Sequence, residues 1–401
     1  MRSPRPAVLL AVLTLVNLLN YVDRQILYAI FPAVQAELGL ADSQLGLAAS
    51  AFIVVYMFVT PVAGYVGDRF RRLGVIGVSV VVWSLASLAS GAARSFSGLL
   101  AARSLVGVGE SCYAPLSSSV LSDAFPRERH GTALSVFNLA VPVGSALGYV
   151  FGSAIAATYG WRAAFYLVGA PGIAIGIVLF FSGEPTRGQM DRPDDSLSSA
   201  TLRTLFANPI YRETTAAMAA LTFVLGALAA WMPTFLVRLH GLSMTEAGVR
   251  FGLLTAATGL IGTALGGWLG DRAAARDPAG HLSVSGIGLL LAVPATAAAI
   301  AVDDPTMFWT ATAVAEVLVF LNTGPLNAVI VRVASAPIRA SAVAANILVI
   351  HLLGDALSPS IVGLLSDQFG LRAALAVMPP LLLVAALLCF RAGRSLRASS
   401  N

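Results

Sequence analysis

The chain has 401 residues, 57% of them hydrophobic and only 11% charged, where an ordinary soluble domain carries roughly 25% charged residues. That balance excludes a disordered chain, a disulfide scaffold and a soluble enzyme, and it fits an integral membrane protein. The formal charge of +5 comes from 25 arginines with no lysine; in such a chain it is a topology signal, and no nucleic-acid partner is expected.

Taken in chain order, uncharged runs cover 43–67, 73–93, 131–161, 163–183, 214–237, 251–270, 278–302 and 373–390. Each can cross about 30 Å of hydrocarbon as a helix. Four further apolar segments, about 7–34, 96–122, 306–334 and 340–366, contain one or two charges each. The sequence therefore predicts twelve transmembrane helices. Residues 7–22 follow Arg2 and Arg5 as a signal peptide would, but no small-x-small site follows and the apolar pattern continues past Asp23 to Val34. They are read as the first span.

Segment 183–210 is polar and carries Pro185, Pro193 and Pro209, which is linker chemistry. It divides the chain into 1–182 and 211–401, each with six helices. With both termini cytoplasmic, most arginines fall inside and only Arg94, Arg162, Arg238, Arg250 and Arg372 outside, as the positive-inside rule requires. Cys112 and Cys389 lie far apart in apolar helices, so neither a disulfide nor a metal site is expected. No cofactor is expected.

The halves repeat. Gly64-Tyr65-Val66-Gly67-Asp68-Arg69 recurs as Gly267-Trp268-Leu269-Gly270-Asp271-Arg272. Gly39-Leu40 with Ser43-Gln44-Leu45-Gly46 recurs as Gly241-Leu242 with Thr245-Glu246-Ala247-Gly248, and Gly160-Trp161-Arg162 recurs as Gly370-Leu371-Arg372. Glu110 and Glu316 also match at a similar spacing. Six helices twice over is secondary-transporter architecture, with the substrate expected between the halves near the midplane.

Charges inside such helices are expensive and usually face a cavity or a partner. Arg103 and Glu110 on the fourth helix are seven apart, so they share a face about 10 Å apart. Asp23 and Arg24 on the first helix diverge by about 100°; one is expected to face the cavity and the other to meet helix four. Burial disfavours a carboxylate and a nearby Arg favours it, so alternating access can move a proton on and off Asp23, or on its rival Glu110. A static Asp–Arg pair is the alternative. Arg24 and Arg103 are candidates for an anionic head group, and Phe137 and Trp231 for an apolar tail. His351 and Asp355, at i and i+4, face one side of helix eleven, and Glu316 sits within helix ten; these three complete the candidate substrate residues. Gly64, Asp68, Arg69 and Arg72, with Asp271 and Arg272 in the second copy, are expected to latch loops by pairing arginines with carboxylates across the seam. A plain positive-inside anchor is the alternative. Ala275 stands where Arg72 would map, so the second latch is incomplete.

The pattern Gly64 to Arg72 resembles the signature loop of the major facilitator superfamily. Asn20-Tyr21-Val22-Asp23-Arg24, Gly107-Val108-Gly109-Glu110, the string Val141 to Tyr149 and His351-Leu352-Leu353-Gly354-Asp355-Ala356-Leu357-Ser358-Pro359 together resemble the spinster family within it. The resemblance implies an all-α integral membrane protein with two pseudo-symmetric six-helix bundles. It implies transport of a lipid-like solute of the sphingolipid or lysolipid type. The short linker suggests a prokaryotic homologue, in a bacterial inner membrane and monomeric, with protons and a small amphiphilic substrate as its partners. A proton-coupled exporter of drugs or organic anions and an uncoupled uniporter remain open. The chain offers no nucleophile–base constellation for an enzyme, no continuous polar ring for a channel, and no Lys for a P-loop.

Overall fold

The computed structural model describes residues 5–185, 205, 207–334 and 338–400. Side chains at 63, 64, 68, 127, 128, 340, 399 and 400 fall outside that description, as does most of the expected linker.

Helices account for nearly all of the described chain. The first half holds α1 (Pro6–Ala29), α2 (Phe31–Leu38), α3 (Asp42–Arg69), α4 (Arg72–Ala92), α5 (Phe96–Glu110), α6 (Tyr113–Ala124), α7 (Arg127–Tyr159) and α8 (Trp161–Phe181). The second holds α9 (Pro209–Leu239), α10 (Met244–Ala274), α11 (Gly280–Ala301), α12 (Pro305–Phe320), α13 (Thr323–Val333), α14 (Arg339–Leu353), α15 (Ser358–Phe369), α16 (Leu371–Leu375) and α17 (Met378–Ser400).

Among the described residues, eleven segments are individually long and apolar enough to cross a bilayer. The twelfth span is helix four, broken into α5 and α6 by a turn at Ser111–Cys112. Neither piece alone covers the hydrocarbon thickness; together they do. Helix ten breaks the same way at Leu321–Asn322, and Pro115 and Pro325 stand three residues into the second piece of each. Proline has no N–H to give the preceding turn, so it sits readily in the first turn of a helix.

The repeat is visible in the backbone. Among the described residues, the glycines with positive φ form two pairs: Gly39 and Gly241, both at 64°, and Gly160 and Gly370, at 83° and 82°. Gly160 and Gly370 also share ψ of 155° and 156°, a region that only glycine occupies at low cost. One expected match is corrected. The helix-four and helix-ten breaks are 210 residues apart, so Glu316, at 206 from Glu110, lies about one turn earlier in its span than Glu110 does. The two carboxylates are not structural counterparts.

Contacts group the chain into two units: Met1–Pro193 with Leu236–Gly252, and Asp194–Phe235 with Leu253–Asn401. In the first, a core of Leu9, Leu13, Val80, Trp83, Val106, Tyr113 and Phe137, among others, is sealed from solvent. Small residues bring the helices close. A Cβ at Gly144 would lie 2.7 Å from the Leu18 carbonyl, and one at Gly148 2.6 Å from Gln25, so α7 lies tight against α1. Gly107 places α5 similarly close to Phe52 of α3, and Gly109 to Trp83 of α4. The segment Leu236–Gly252 is tied into this unit by Arg238, which donates to Asp42 at 2.6 and 2.7 Å, and by a Tyr149–Phe251 edge contact.

In the second unit, α11 packs on α12 and on α17. Between α10 and α11, Asp277 accepts from Arg397, and that hydrogen bond, with one from the Ala279 amide, holds its carboxyl below the ordinary aspartate range.

Candidate functional site

Two ion pairs join α1 to α5 in the first unit. Asp23 accepts from Arg103 Nη1 at 3.1 Å and from Ser87 Oγ of α4 at 2.6 Å. Its neighbour Arg24 donates from Nε to Glu110 Oε2 at 2.7 Å. The expectation that only one of the two α1 charges meets helix four is therefore corrected: both do. Each pair contains one long arginine arm, and the two partners sit about 10 Å apart on α5. Consecutive residues can thus reach different levels of the same helix.

The close approach of α7 to α1, and of α5 to α3 and α4, sets these distances. Asp23, Arg103 and Glu110 are 0%, 1% and 1% exposed. Arg24 differs, with 22% of its side chain exposed. Its guanidinium lies 5.0, 5.0 and 5.1 Å from the rings of Tyr21, Phe52 and Tyr56, a cation–π environment for a charge that still meets solvent. Around the pairs, Asn20 Nδ2, Arg103 Nε and Glu110 Oε1 are buried with no hydrogen-bond partner among the described residues. Most buried polar atoms in folded proteins are hydrogen-bonded, so these three stand out.

The aromatic candidates lie elsewhere. Phe137 is 3% exposed and belongs to the first unit's core, 6.2 Å from the Tyr113 ring, while its carbonyl accepts from Asn17. Trp231 is fully buried in the second unit and donates to the Pro359 carbonyl at 3.1 Å. Both therefore fill cores instead of lining a wall, a correction that follows from burial not being readable from residue type. The second unit does bring His351 and Asp355 together. His351 Nδ1 stands 2.9 Å from both Asp355 carboxylate oxygens, with both side chains partly exposed. Glu316 is 2% exposed and accepts from Thr255 and Thr258 at 2.9 and 2.6 Å.

The expected latch takes a different form. Arg72 spreads all three nitrogens: Nη2 to Asp123 at 2.6 Å, Nε to Glu184 at 2.7 Å, and Nη1 to Ser119 at 2.8 Å. These partners are in its own unit, not across the seam. The last turn of α6 ends beside the start of α4, which puts Asp123 within its reach. Arg69 stacks over Tyr65 at 4.0 Å; the side chains of Gly64 and Asp68 lie outside the description. In the second copy Asp271 meets His281 at 3.3 Å and Arg272 lies 5.8 Å from the Trp268 ring. Sequence reasoning missed Ser87, Ser119, Asp123, Glu184, Thr255 and Thr258. Only the two carboxylates carried a signal, being charges beside span ends. Among the described residues no group of His, Cys, Asp and Glu could hold a metal ion.

A broken-helix, twelve-span repeat with charges paired inside the bundle defines a secondary transporter. The family model of the Major Facilitator Superfamily matches residues 13–359. Human protein spinster homolog 1 is 34% identical over 388 residues, covering 91% of this chain and 74% of that protein. The Xenopus laevis homolog 1 is 32% identical over 386 residues, covering 91% and 73%. A crystal structure of a bacterial homolog of the human lysosomal transporter spinster, inward-facing and unoccupied, matches with a TM-score of 0.90 at 26% identity, covering 100% of this chain and 99% of that one. A D-xylose–proton symporter, at 16% identity and a TM-score of 0.78 over 95% and 96% of the two chains, shares the fold. The chain belongs to the spinster family of the Major Facilitator Superfamily. It is a multi-pass membrane transporter.

Proposed function

We propose that this transporter moves an anionic, lipid-like amphiphile by alternating access and couples the movement to protons through the Asp23–Arg103 and Arg24–Glu110 pairs. The observation that carries the reading is the crossed arrangement itself. Four charges are buried together, yet only Arg24 meets solvent. A solute phosphate or carboxylate arriving at Arg24 competes with Glu110 for the guanidinium. Glu110, losing its counter-charge in a buried place, then takes up a proton. Asp23, whose two oxygens hold hydrogen-bond donors from Arg103 and Ser87, takes a proton only when Arg103 or Ser87 withdraws from it. Arg103 completes the positive end, and Arg103→Lys keeps the charge but loses the fork. The partly exposed His351–Asp355 pair is assigned to the polar end of the solute as well.

The same reading places 1–182 and 211–401 as the two six-helix halves, joined by 183–210 on the inner side of a bacterial plasma membrane. Both termini are then cytoplasmic, and Arg72 with Asp123 and Glu184 forms the inner latch. Arg69, Asp271 and Arg272 lie on that same side. The protein is proposed to work as a monomer.

The test is transport by the purified protein in liposomes, with a lysophospholipid panel and an imposed pH gradient. Acceleration of anionic members by the gradient supports the reading. Equal transport of uncharged and anionic members by Arg24→Gln and wild type removes the head-group role.

A further inference from the structure

Two bare backbones touch where α4 crosses α8 in the first unit. A Cβ at Gly77 would lie 2.6 Å from the Gly176 carbonyl, and one at Gly176 2.8 Å from the Gly77 carbonyl. No side chain fits between the helices at that level, so the side chains flanking it part on the outer face. They leave a groove of about 180 Å³, walled by Val78, Val81 and Val82 of α4 and by Ile177, Phe180 and Phe181 of α8. Val78, Ile177, Phe180 and Phe181 are 50%, 49%, 43% and 60% exposed. Inward of the groove, Ile76, Val80 and Leu179 belong to the sealed core.

The depth of the groove matches one leaflet. The start of α4, at Arg72, and the end of α8, at Phe181, lie at the same end of the unit. At 1.5 Å per residue, Val82 is about 15 Å from the start of α4 and Ile177 about 6 Å from the end of α8. Half of a hydrocarbon core of about 30 Å is also about 15 Å. The apolar walls therefore stay within one leaflet, and the two helix ends reach its polar boundary.

A cation stands at that boundary. Arg71, exposed and just before α4, donates from Nη2 to the carbonyl of Ser182, the residue after Phe181. A guanidinium has five N–H donors, and no carboxylate among the described residues pairs with this one. The charges beside it are engaged: Arg72 with Asp123 and Glu184, and Arg69 over the Tyr65 ring. Arg71 is thus the charge left to meet an anion at the mouth of the groove. Arginine forks onto phosphate oxygens through charge-assisted hydrogen bonds. A free phosphate has no use for the apolar walls, and a plain hydrocarbon has none for the arginine; a phospholipid uses both.

We propose that this groove binds one phospholipid of the surrounding bilayer, with an acyl chain between α4 and α8 and its phosphate on Arg71. The lipid fastens the ends of the two helices together. It is a bound molecule and not the transported solute, because the sealed core lies between the groove and the interior. Its assignment to the cytoplasmic leaflet rests on the topology proposed above; the binding rests on the groove and on Arg71.

Native mass spectrometry of the purified full chain tests this, after the protein is stripped of lipid and titrated with phosphatidylglycerol or with uncharged diacylglycerol of the same chains. Wild type is expected to hold one phosphatidylglycerol about tenfold more tightly than diacylglycerol, the contribution of roughly one charge-assisted hydrogen bond. Arg71→Gln is expected to bring the two lipids to the same affinity. Val78→Trp and Ile177→Trp fill the groove from opposite walls at exposed positions. Each is expected to lose the tight phosphatidylglycerol and to keep the wild-type thermal midpoint in lipid-free detergent. Added phosphatidylglycerol is expected to raise that midpoint in wild type and not in the filled variants. Equal affinity of wild type for the two lipids overturns the proposal, and so does wild-type phosphatidylglycerol affinity in a folded variant with the groove filled. None of these readouts uses flux or a pH gradient, so a failure of proton-driven transport leaves the result standing. A reversed topology changes the leaflet and not the binding.

Discussion

Arg24 and Glu110, 86 residues apart in sequence, meet at 2.7 Å between two helices. The glutamate side chain has no exposure and the arginine has 22%, so removing either partner has unequal consequences. Arg24→Gln strands a buried carboxylate and is expected to destabilise by about 3–5 kcal/mol unless the carboxyl is protonated. Glu110→Gln leaves an arginine that still reaches solvent and three aromatic rings, and it is expected to do less harm. The double variant is expected to recover most of the loss. Thermal unfolding in detergent, arranged as a double-mutant cycle, measures this. Additive losses would show that the pair is not energetically coupled.

Arg72 is expected to tolerate no conservative change. Its three nitrogens go to three different side chains, and a lysine ammonium cannot reproduce that planar fork. Arg72→Lys is therefore expected to lose nearly as much stability as Arg72→Ala, about 3 kcal/mol or more for a pair this buried. Thermal midpoints of the two variants, compared with Asp123→Asn, decide it; a Lys variant equal to wild type would contradict the three-way contact.

Much of this architecture was legible in the sequence, because a bilayer imposes length and polarity on every span. The apolar runs gave the spans. Arg103 and Glu110 were recognisable as charges out of place. Which partner each charge takes was not legible, since Asp23 and Arg24 diverge on the helix and only arm length and helix depth let both reach α5. Phe137 and Trp231 read as cavity aromatics because type does not distinguish a core ring from a wall ring. Glu316 matched Glu110 by spacing, and only the positions of the two helix breaks reveal the one-turn difference. The threonines that hold Glu316 carry no sequence signal, being ordinary residues in an apolar run.

The repeat makes a paired prediction about glycine. A Cβ at Gly160 or Gly370 meets nothing within 4 Å, so any penalty there is backbone conformation alone. Gly160→Ala and Gly370→Ala are each expected to cost about 1–3 kcal/mol. Gly39→Asn, in the left-handed region at φ 64° and ψ 35°, is expected to be nearly neutral because asparagine tolerates that conformation. Thermal midpoints of the three variants check the contrast.

Acid is expected to loosen the end of α17. Asp277 is held below its ordinary value of 3.8, chiefly by the hydrogen bond from Arg397. A depressed carboxyl contributes stability that is present above its unfolded pKa and lost as pH falls through the folded one. Hydrogen exchange along α17 is therefore expected to rise only below the normal aspartate range, and Asp277→Asn is expected to exchange fast at every pH. A wild-type profile that tracks the variant at neutral pH would show that the contact does not hold the helix.

Asp23 is the residue on which proton coupling turns most directly. The decisive measurement is lysophosphatidic acid flux into proteoliposomes with and without a pH gradient, for wild type and Asp23→Asn. The gradient is expected to raise wild-type flux several-fold and leave the variant unchanged, while downhill exchange by the variant persists. A shift of one pKa unit between conformations is worth 1.36 kcal/mol, so one or two units supply a coupling energy of about 1–3 kcal/mol. A variant that responds to the gradient as wild type does would contradict the claim that Asp23 carries the coupled proton, and a wild type that ignores the gradient would contradict proton coupling altogether.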